Sequence, residues 1–205
     1  MRFYDAKQAP NPRRARMFMA EKGVDFDDIE FVQIDIGKGE NLGEAYRAKN
    51  PLGRVPTLEL DDGTCIAESV AISRYFEEII PEPPLMGTDA KDKALVEMWQ
   101  RRMEINLLLS VGMAFRNLSG YFSDRETVVK EWGEVCRENA VKMFDFLDKH
   151  LADHEHVCGD TFTIADITAL CSVDFARVIQ LRVDDDRPHL KRWHEAVSAR
   201  PSARA

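Results

Sequence analysis

The chain of 205 residues has little cysteine, no excess of basic residues and no long apolar run. Its four cysteines are widely and irregularly spaced, which suits neither a zinc motif nor a disulfide scaffold. The net charge of −8 argues against a nucleic-acid partner. No window approaches the roughly 18 apolar residues of a membrane span, and the first residues lack the apolar core of a signal peptide. We therefore expect a cytoplasmic protein without a metal, a membrane or a nucleic acid as partner.

The most informative stretch runs from Asn50 to Ile72. It predicts a turn at Asn50–Gly53 and a strand at Thr57–Leu60. A hairpin turn at Asp61–Gly63, a return strand at Thr64–Ile66 and a helix at Val70–Ile80 follow. Ser69 is a favourable N-cap for that helix. A cis peptide bond is expected at Val55-Pro56, just before the first of these strands.

The chemistry of this stretch points to a small acidic peptide as ligand. A cis bond at Val55-Pro56 would leave the Val55 N–H and C=O unpaired, so that an extended peptide could bind there like an added strand. The helix N-terminus at Glu68-Ser69 would bind a carboxylate through its backbone N–H groups and the Ser69 hydroxyl. A hairpin and a helix cap without any ligand are the alternative interpretation.

The remainder of residues 1–80 predicts a thioredoxin-like β-α-β, β-β-α arrangement. Arg2–Tyr4 is a first strand, and Ile29–Ile34 is a second strand parallel to it. The helix between them should begin with Asn11 as N-cap and Pro12 at the first helical position, and end at Gly23. Leu42–Lys49 is expected to be a short, irregular helix.

Residues 81–88 are a proline-rich linker, and residues 89–205 are predicted to be entirely helical. Long helices are expected at Ala90–Arg116 and Arg125–His150, and a last one at Leu190–Ala199. Thr163-Ile164-Ala165-Asp166 predicts a capping box with Asp in place of Glu. The fold class is thus α/β plus all-α.

This organisation resembles the cytosolic glutathione transferases over nearly the whole chain. The family pairs a cis-proline after Val with a Glu/Gln-Ser pair that opens the third helix, as Val55-Pro56 and Glu68-Ser69 do here. The segment from Cys158 to Ile167 looks like the family's C-terminal helix-capping motif. The resemblance implies a homodimeric glutathione S-transferase, with glutathione as co-substrate, that conjugates its thiolate to a hydrophobic electrophile.

The chain departs from the family where the thiol is activated. Family members usually carry Ser, Tyr or Cys between the first strand and the first helix, whereas Ala9 stands at the serine-type position. No Ser, Thr or Cys occurs from Met1 to Ala20. Asn11 is the candidate catalytic residue because its amide can donate to a thiolate. A plain N-cap is the alternative role for Asn11, although its oxygen could cap while its NH₂ group donates.

The resemblance also assigns the binding residues. Asn41 and Arg54 fit positions that contact the glycine end of glutathione, and the other glutathione-binding residues are Val55, Pro56, Glu68 and Ser69. Met103 and Phe115 are expected to face the second substrate on the long helix after the linker, with burial in the core as the alternative. A non-catalytic glutathione-binding or protein-interaction module is the second hypothesis for the whole chain, because the usual thiol-activating residue is missing.

Overall fold

The computed structural model describes the whole chain, Met1–Ala205. It divides into two compact units: one comprises Met1–Pro84 with Arg204–Ala205, and the other comprises Leu85–Ala203. The first unit is α/β and the second is helical, which confirms the predicted fold class. None of the helices combines the length and the apolar character that crossing a membrane requires.

The first unit contains a four-stranded mixed sheet in the order β2-β1-β3-β4. Its strands are β1 (Arg2–Asp5), β2 (Glu30–Gln33), β3 (Thr57–Glu59) and β4 (Cys65–Ala67). Its α-helices are α1 (Pro10–Glu21), α2 (Glu44–Arg47) and α3 (Ser69–Ile79). The predicted parallel pairing of β1 with β2 and the β3–β4 hairpin are both confirmed.

The register of the sheet defines one edge that matters below. Tyr4 on β1 pairs with Thr57 on β3, which pairs with Ala67 on β4. Because β1 and β4 both run antiparallel to β3, the chain leaves β1 and β4, and enters β3, at the same edge. Helices α1 and α3 pack against each other, and the core of this unit contains the fully buried Phe3, Phe18, Leu58 and Ile72.

Two predicted helix starts are wrong by one or two residues. Asn11 is not the N-cap of α1 because the helix begins at Pro10, so Ala9 is the N-cap and Asn11 lies in the first turn. Ser69 is not the N-cap of α3 because Glu68 takes that position and Ser69 is the first helical residue. Gly23 ends the first helix as predicted, with a left-handed φ of 69°.

The second unit is built from helices, and its core includes the fully buried Leu107, Phe144, Leu147 and Trp193. The helices are α4 (Ala90–Arg101), a π-helical segment (Arg102–Leu108), α5 (Leu109–Ser119), α6 (Lys130–Leu151), α7 (Ile164–Phe175) and α8 (Pro188–Ser198). Helix α4, the π-helical segment and α5 form the continuous helix predicted from Ala90, which extends to Ser119 rather than Arg116. The π-helical turn inside it was not predicted.

The predicted start of the next helix at Arg125 is wrong, since α6 begins at Lys130. The Asn117 side chain accepts a hydrogen bond from the Val129 N–H at 2.8 Å and holds Val129 in an extended conformation. The last helix also begins earlier than predicted, at Pro188. The capping box at Thr163 is confirmed: Thr163 and Asp166 exchange hydrogen bonds across the first turn of α7.

Candidate functional site

Three of the predicted binding segments converge on the Tyr4–Thr57–Ala67 edge of the sheet. The loop to α1 leaves β1 at this edge, the residues before Thr57 enter it, and Glu68-Ser69 follow directly after Ala67. The register therefore brings together segments that are far apart in the sequence, such as those that follow Tyr4 and Ala67. A ligand at this edge would meet the first turns of α1 and α3 and the chain that precedes β3.

The segment before β3 has a cis peptide bond at Val55-Pro56, as predicted. Val55 is partly exposed, and neither its N–H nor its C=O has a hydrogen-bond partner within the protein. Both groups are therefore available to an extended ligand. Arg54 is exposed and its guanidinium makes no ion pair in the protein, so it can donate hydrogen bonds to a carboxylate of a ligand.

The first turn of α3 offers hydrogen-bond donors that the protein itself does not use. Glu68, the N-cap, has a left-handed φ of 70° and its side chain caps no backbone N–H group. Ser69 is 6% exposed and its hydroxyl has no protein partner. Unpaired N–H groups and the positive end of the helix dipole form a site for an anion, and α3 with its 11 residues is long enough to supply that dipole.

The first turn of α1 is short of backbone donors. Pro10 and Pro12 have no N–H group, and Ala9 at the N-cap has no side-chain hydrogen-bonding group. Asn11 is exposed, and its Oδ1 accepts a hydrogen bond from Nη1 of Arg14 at 3.1 Å. Since the oxygen is engaged, the Nδ2 group, which has no partner within the protein, is the donor that Asn11 presents.

Asn41 lies next to the segment that precedes β3. Its Nδ2 donates to the carbonyl oxygen of Gly53 at 2.6 Å, and its Oδ1 is buried without a hydrogen-bond partner. One N–H of the amide is thus committed to the Gly53 loop. In this orientation the side chain supports the loop and retains at most one N–H for a ligand.

Sequence reasoning missed the buried side chains that support this loop. The Tyr46 hydroxyl donates to the Arg54 carbonyl oxygen at 2.6 Å, and Nδ2 of Asn50 donates to the same oxygen at 2.8 Å. The Thr57 hydroxyl lies 3.0 Å from the Tyr46 hydroxyl and 3.3 Å from Asn50 Nδ2. Burial raises the pKa of Tyr46, so its phenol remains a donor at neutral pH. The four-residue spacing of Tyr46 and Asn50 could have revealed that they share one side of a helical turn.

The two residues proposed for a second-substrate pocket differ in the structure. The expectation for Met103 is corrected: it is 0% exposed and belongs to the core of the helical unit, because it lies on the inward face of the π-helical segment. Phe115 is partly exposed and its ring lies 5.7 Å from Tyr121 and 5.6 Å from Phe175. Only Phe115 of this pair is available to a ligand. No group of three or more His, Cys, Asp or Glu side chains is arranged to hold a metal ion.

Comparison with known families follows the same division of the chain. Residues 9–79 match the family model described as glutathione S-transferase, N-terminal domain. Residues 98–201 match the model described as glutathione S-transferase, C-terminal domain.

Whole-chain relatives are similar in both sequence and structure. Glutathione S-transferase 2 of Saccharomyces cerevisiae is 34% identical over 206 residues, covering 100% of this chain and 88% of the relative. A structure of a glutathione S-transferase domain-containing protein from Marinobacter aquaeolei is 39% identical with a TM-score of 0.94, covering 98% of this chain and 99% of the other. The structure of Gtt2 from Saccharomyces cerevisiae is 34% identical with a TM-score of 0.91, covering 100% and 99%.

Proposed function

The chain belongs to the glutathione S-transferase family, and from this premise we propose that it binds glutathione at the Tyr4–Thr57–Ala67 edge and conjugates its thiolate to an electrophilic small molecule. The observation that carries the proposal is the set of unused polar groups at this edge. The Val55 backbone, the Ser69 hydroxyl and the first N–H groups of α3 all lack partners within the protein.

Glutathione has the chemistry that these groups complement. It is a γ-linked tripeptide with two free carboxylates and an extended backbone. We assign its γ-glutamyl carboxylate to Ser69 and the N–H groups of α3, with Glu68 facing its ammonium group. The cysteinyl backbone would pair with Val55 beside Pro56. The glycine carboxylate would lie near the unpaired guanidinium of Arg54 and the amide of Asn41.

We assign stabilisation of the thiolate to Asn11. A free thiol with a pKa near 8.5 is only ~3% thiolate at pH 7, and lowering that pKa by about two units raises the thiolate to roughly three quarters. This corresponds to about 2.7 kcal/mol of differential stabilisation. A hydrogen bond from the Asn11 Nδ2 group and the N-terminus of the 12-residue α1 are both favourable to an anion and together reach this order of magnitude.

The wider assignments rest on family membership. We propose that residues 1–80 form the glutathione-binding domain and that residues 81–88 are the linker. Residues 89–205 would supply the pocket for a hydrophobic electrophile, with Phe115 among its residues. We further propose a cytoplasmic homodimer. Leu95, Met98, Ile105 and Leu109 support an interface on the helical unit because these large apolar side chains are all exposed along one continuous helix.

The test is a pH titration of bound glutathione, followed by thiolate absorbance, in wild type and in Asn11→Ala. Turnover of an activated aryl chloride is measured in parallel. We expect a bound thiol pKa well below 8.5 that returns towards 8.5 in the variant. A low pKa that the variant keeps would move the donor away from Asn11 but retain the transferase.

Two further outcomes would overturn more of the proposal. Binding without a pKa shift and without turnover would favour the alternative, a non-catalytic glutathione-binding module. No binding of glutathione at all would contradict the assignment of the edge.

A further inference from the structure

The peptide group between Arg54 and Val55 is held from one side by two buried donors. The Arg54 carbonyl oxygen accepts hydrogen bonds from the Tyr46 hydroxyl at 2.6 Å and from Asn50 Nδ2 at 2.8 Å. Tyr46 is 5% exposed and Asn50 is 3% exposed, so water does not compete freely for these bonds. The orientation of this carbonyl is therefore set from inside the α/β unit.

A planar trans peptide links the direction of its C=O to that of its N–H. The Arg54–Val55 bond is trans, since the cis bonds of the chain are Val55-Pro56 and Glu82-Pro83. In a trans peptide the C=O and the following N–H point in opposite directions. When the Arg54 carbonyl points inward to Tyr46 and Asn50, the Val55 N–H must point away from them, towards the side from which a ligand approaches.

The two donors are themselves fixed. The Thr57 hydroxyl lies 3.0 Å from the Tyr46 hydroxyl and 3.3 Å from Asn50 Nδ2, and Thr57 is 0% exposed. Asn50 Oδ1 also accepts a hydrogen bond from the Leu52 N–H at 3.2 Å. These hydrogen bonds thus fix the chain on both sides of Val55-Pro56, at Arg54 before it and at Thr57 after it.

We propose that Tyr46 is a positioning residue for glutathione binding: its hydroxyl, together with the amide of Asn50, holds the Arg54–Val55 peptide so that the Val55 N–H faces the ligand. This inference rests on the proposed function, in which Val55 pairs with the glutathione backbone. It adds a residue that does not touch the ligand and acts through the peptide plane alone.

Tyr46→Phe tests the inference because it removes the hydroxyl and retains the ring. Tyr4→Phe is the matched control, because Tyr4 defines the sheet edge only through its backbone pairing with Thr57 and its side chain is not among the proposed ligand contacts. Tyr4 is 7% exposed, its ring lies 5.8 Å from that of Tyr46, and its hydroxyl donates to Glu59 Oε2 rather than to the loop. Tyr4→Phe loses the hydrogen bond to Glu59, and Tyr46→Phe loses the hydrogen bonds to the Arg54 carbonyl oxygen and to the Thr57 hydroxyl. Only Tyr46→Phe therefore removes a donor from the Arg54 carbonyl, which is then held by Asn50 Nδ2 alone.

Calorimetric titration with glutathione should show about three- to tenfold weaker binding in Tyr46→Phe and less than a twofold change in Tyr4→Phe. At saturating glutathione, kcat and the pKa of the bound thiol should remain at wild-type values in Tyr46→Phe, because the thiol site is untouched. Equal losses of affinity in the two variants would overturn the inference and leave the proposed function standing.

A ligand-free measurement separates the inference from the proposed function. The ¹H–¹⁵N resonance of the Val55 amide should shift in Tyr46→Phe and stay near its wild-type position in Tyr4→Phe. An unmoved Val55 resonance in Tyr46→Phe would overturn the inference whatever the binding result. Failure of the wild type to bind glutathione would instead overturn the proposed function, and with it the ligand that this positioning serves.

Discussion

Arg14 donates a hydrogen bond from Nη1 to Oδ1 of Asn11 at 3.1 Å, and Arg14 is only 4% exposed whereas Asn11 is exposed. A buried guanidinium thus sets the orientation of an exposed amide. Because guanidinium groups only donate, the amide must turn its oxygen towards Arg14 and its NH₂ group outward. Asn11 therefore presents a hydrogen-bond donor at the start of α1, where it would stabilise a bound thiolate.

Asn11→Asp isolates this donor. The carboxylate retains the oxygen that Arg14 contacts but cannot donate, and it adds a negative charge beside the thiolate. We expect the pKa of bound glutathione to rise and kcat at neutral pH to fall by roughly ten- to a hundredfold. Asn139→Asp on α6 introduces the same charge outside the proposed site and should leave both quantities unchanged. A variant Asn11→Asp with wild-type kcat would remove Asn11 from the mechanism.

Gly53→Ala should damage the loop before Val55. Gly53 has a φ of +60°, and a Cβ atom there would lie 2.8 Å from the Asn41 carbonyl oxygen. Gly63→Ala is the control, because Gly63 has a φ of +85° with open space around the added Cβ. Both variants incur about 1–2 kcal/mol from the left-handed backbone.

Only Gly53→Ala adds a clash with backbone atoms. It should therefore unfold at lower urea concentration than Gly63→Ala and bind glutathione more weakly than wild type. Equal stability of the two variants, with unchanged glutathione affinity, would show that the loop adjusts without cost.

Lys22→Met should strongly destabilise the α/β unit. The side chain of Lys22 is 0% exposed, and its Nζ lies 2.8 Å from Glu77 Oε2 and donates to the carbonyl oxygens of Pro81 and Pro83 at 3.0 Å and 2.6 Å. Removing the ammonium leaves a buried carboxylate and two carbonyl groups without this donor. We expect a loss of about 3–5 kcal/mol in the free energy of unfolding, measured by urea denaturation.

Lys38→Met is the control for this prediction. The side chain of Lys38 is 78% exposed and pairs with Asp35 at 3.4 Å, so its removal should change stability by about 1 kcal/mol or less. Comparable losses of unfolding free energy in the two lysine variants would mean that the buried contacts of Lys22 stabilise the protein no more than an exposed ion pair does.

His150 should make the stability of the folded protein sensitive to acid. Burial lowers the pKa of His150 and outweighs the hydrogen bond to the Val157 carbonyl oxygen, which raises it; the charges of His154 and Arg102 lower it further and that of Asp153 raises it. The unfolded chain therefore takes up this proton at a higher pH than the folded protein does. The contribution to stability is fully present above the unfolded pKa of about 6.5 and is lost as the pH falls towards the lower folded value.

His150→Phe should flatten this part of the pH dependence. The phenyl ring can keep the tilted ring contact with Trp99, whose ring centroid lies 4.2 Å from that of His150, but it cannot titrate. We expect the drop in urea midpoint between pH 7.5 and pH 5.5 to be smaller in the variant than in wild type. An identical drop would assign the acid sensitivity to other groups.

Local chemistry was sufficient for much of the fold. The turn residues, the strand alternation, the capping box at Thr163 and the left-handed Gly23 each depend on neighbours a few residues away, and the structure contains them. Helix starts were less predictable, because two prolines flank Asn11 and either one can occupy a first turn. The backbone geometry at Ala9 and Glu68 decided which residue caps.

By itself the sequence determined the fold class, the cis peptide expected at Val55-Pro56 and the segments that form the proposed glutathione site. Only the tertiary structure decided how those segments meet, because the Tyr4–Thr57–Ala67 pairing joins residues that are distant in the chain. It also decided that Met103 is buried, that Tyr46 and Asn50 donate to the Arg54 carbonyl oxygen, and that Arg14 donates to Asn11 Oδ1. Tyr46, Asn50 and Arg14 lie at most eight residues from these hydrogen-bond partners, but whether the groups meet depends on backbone turns and packing that the residue types alone do not specify.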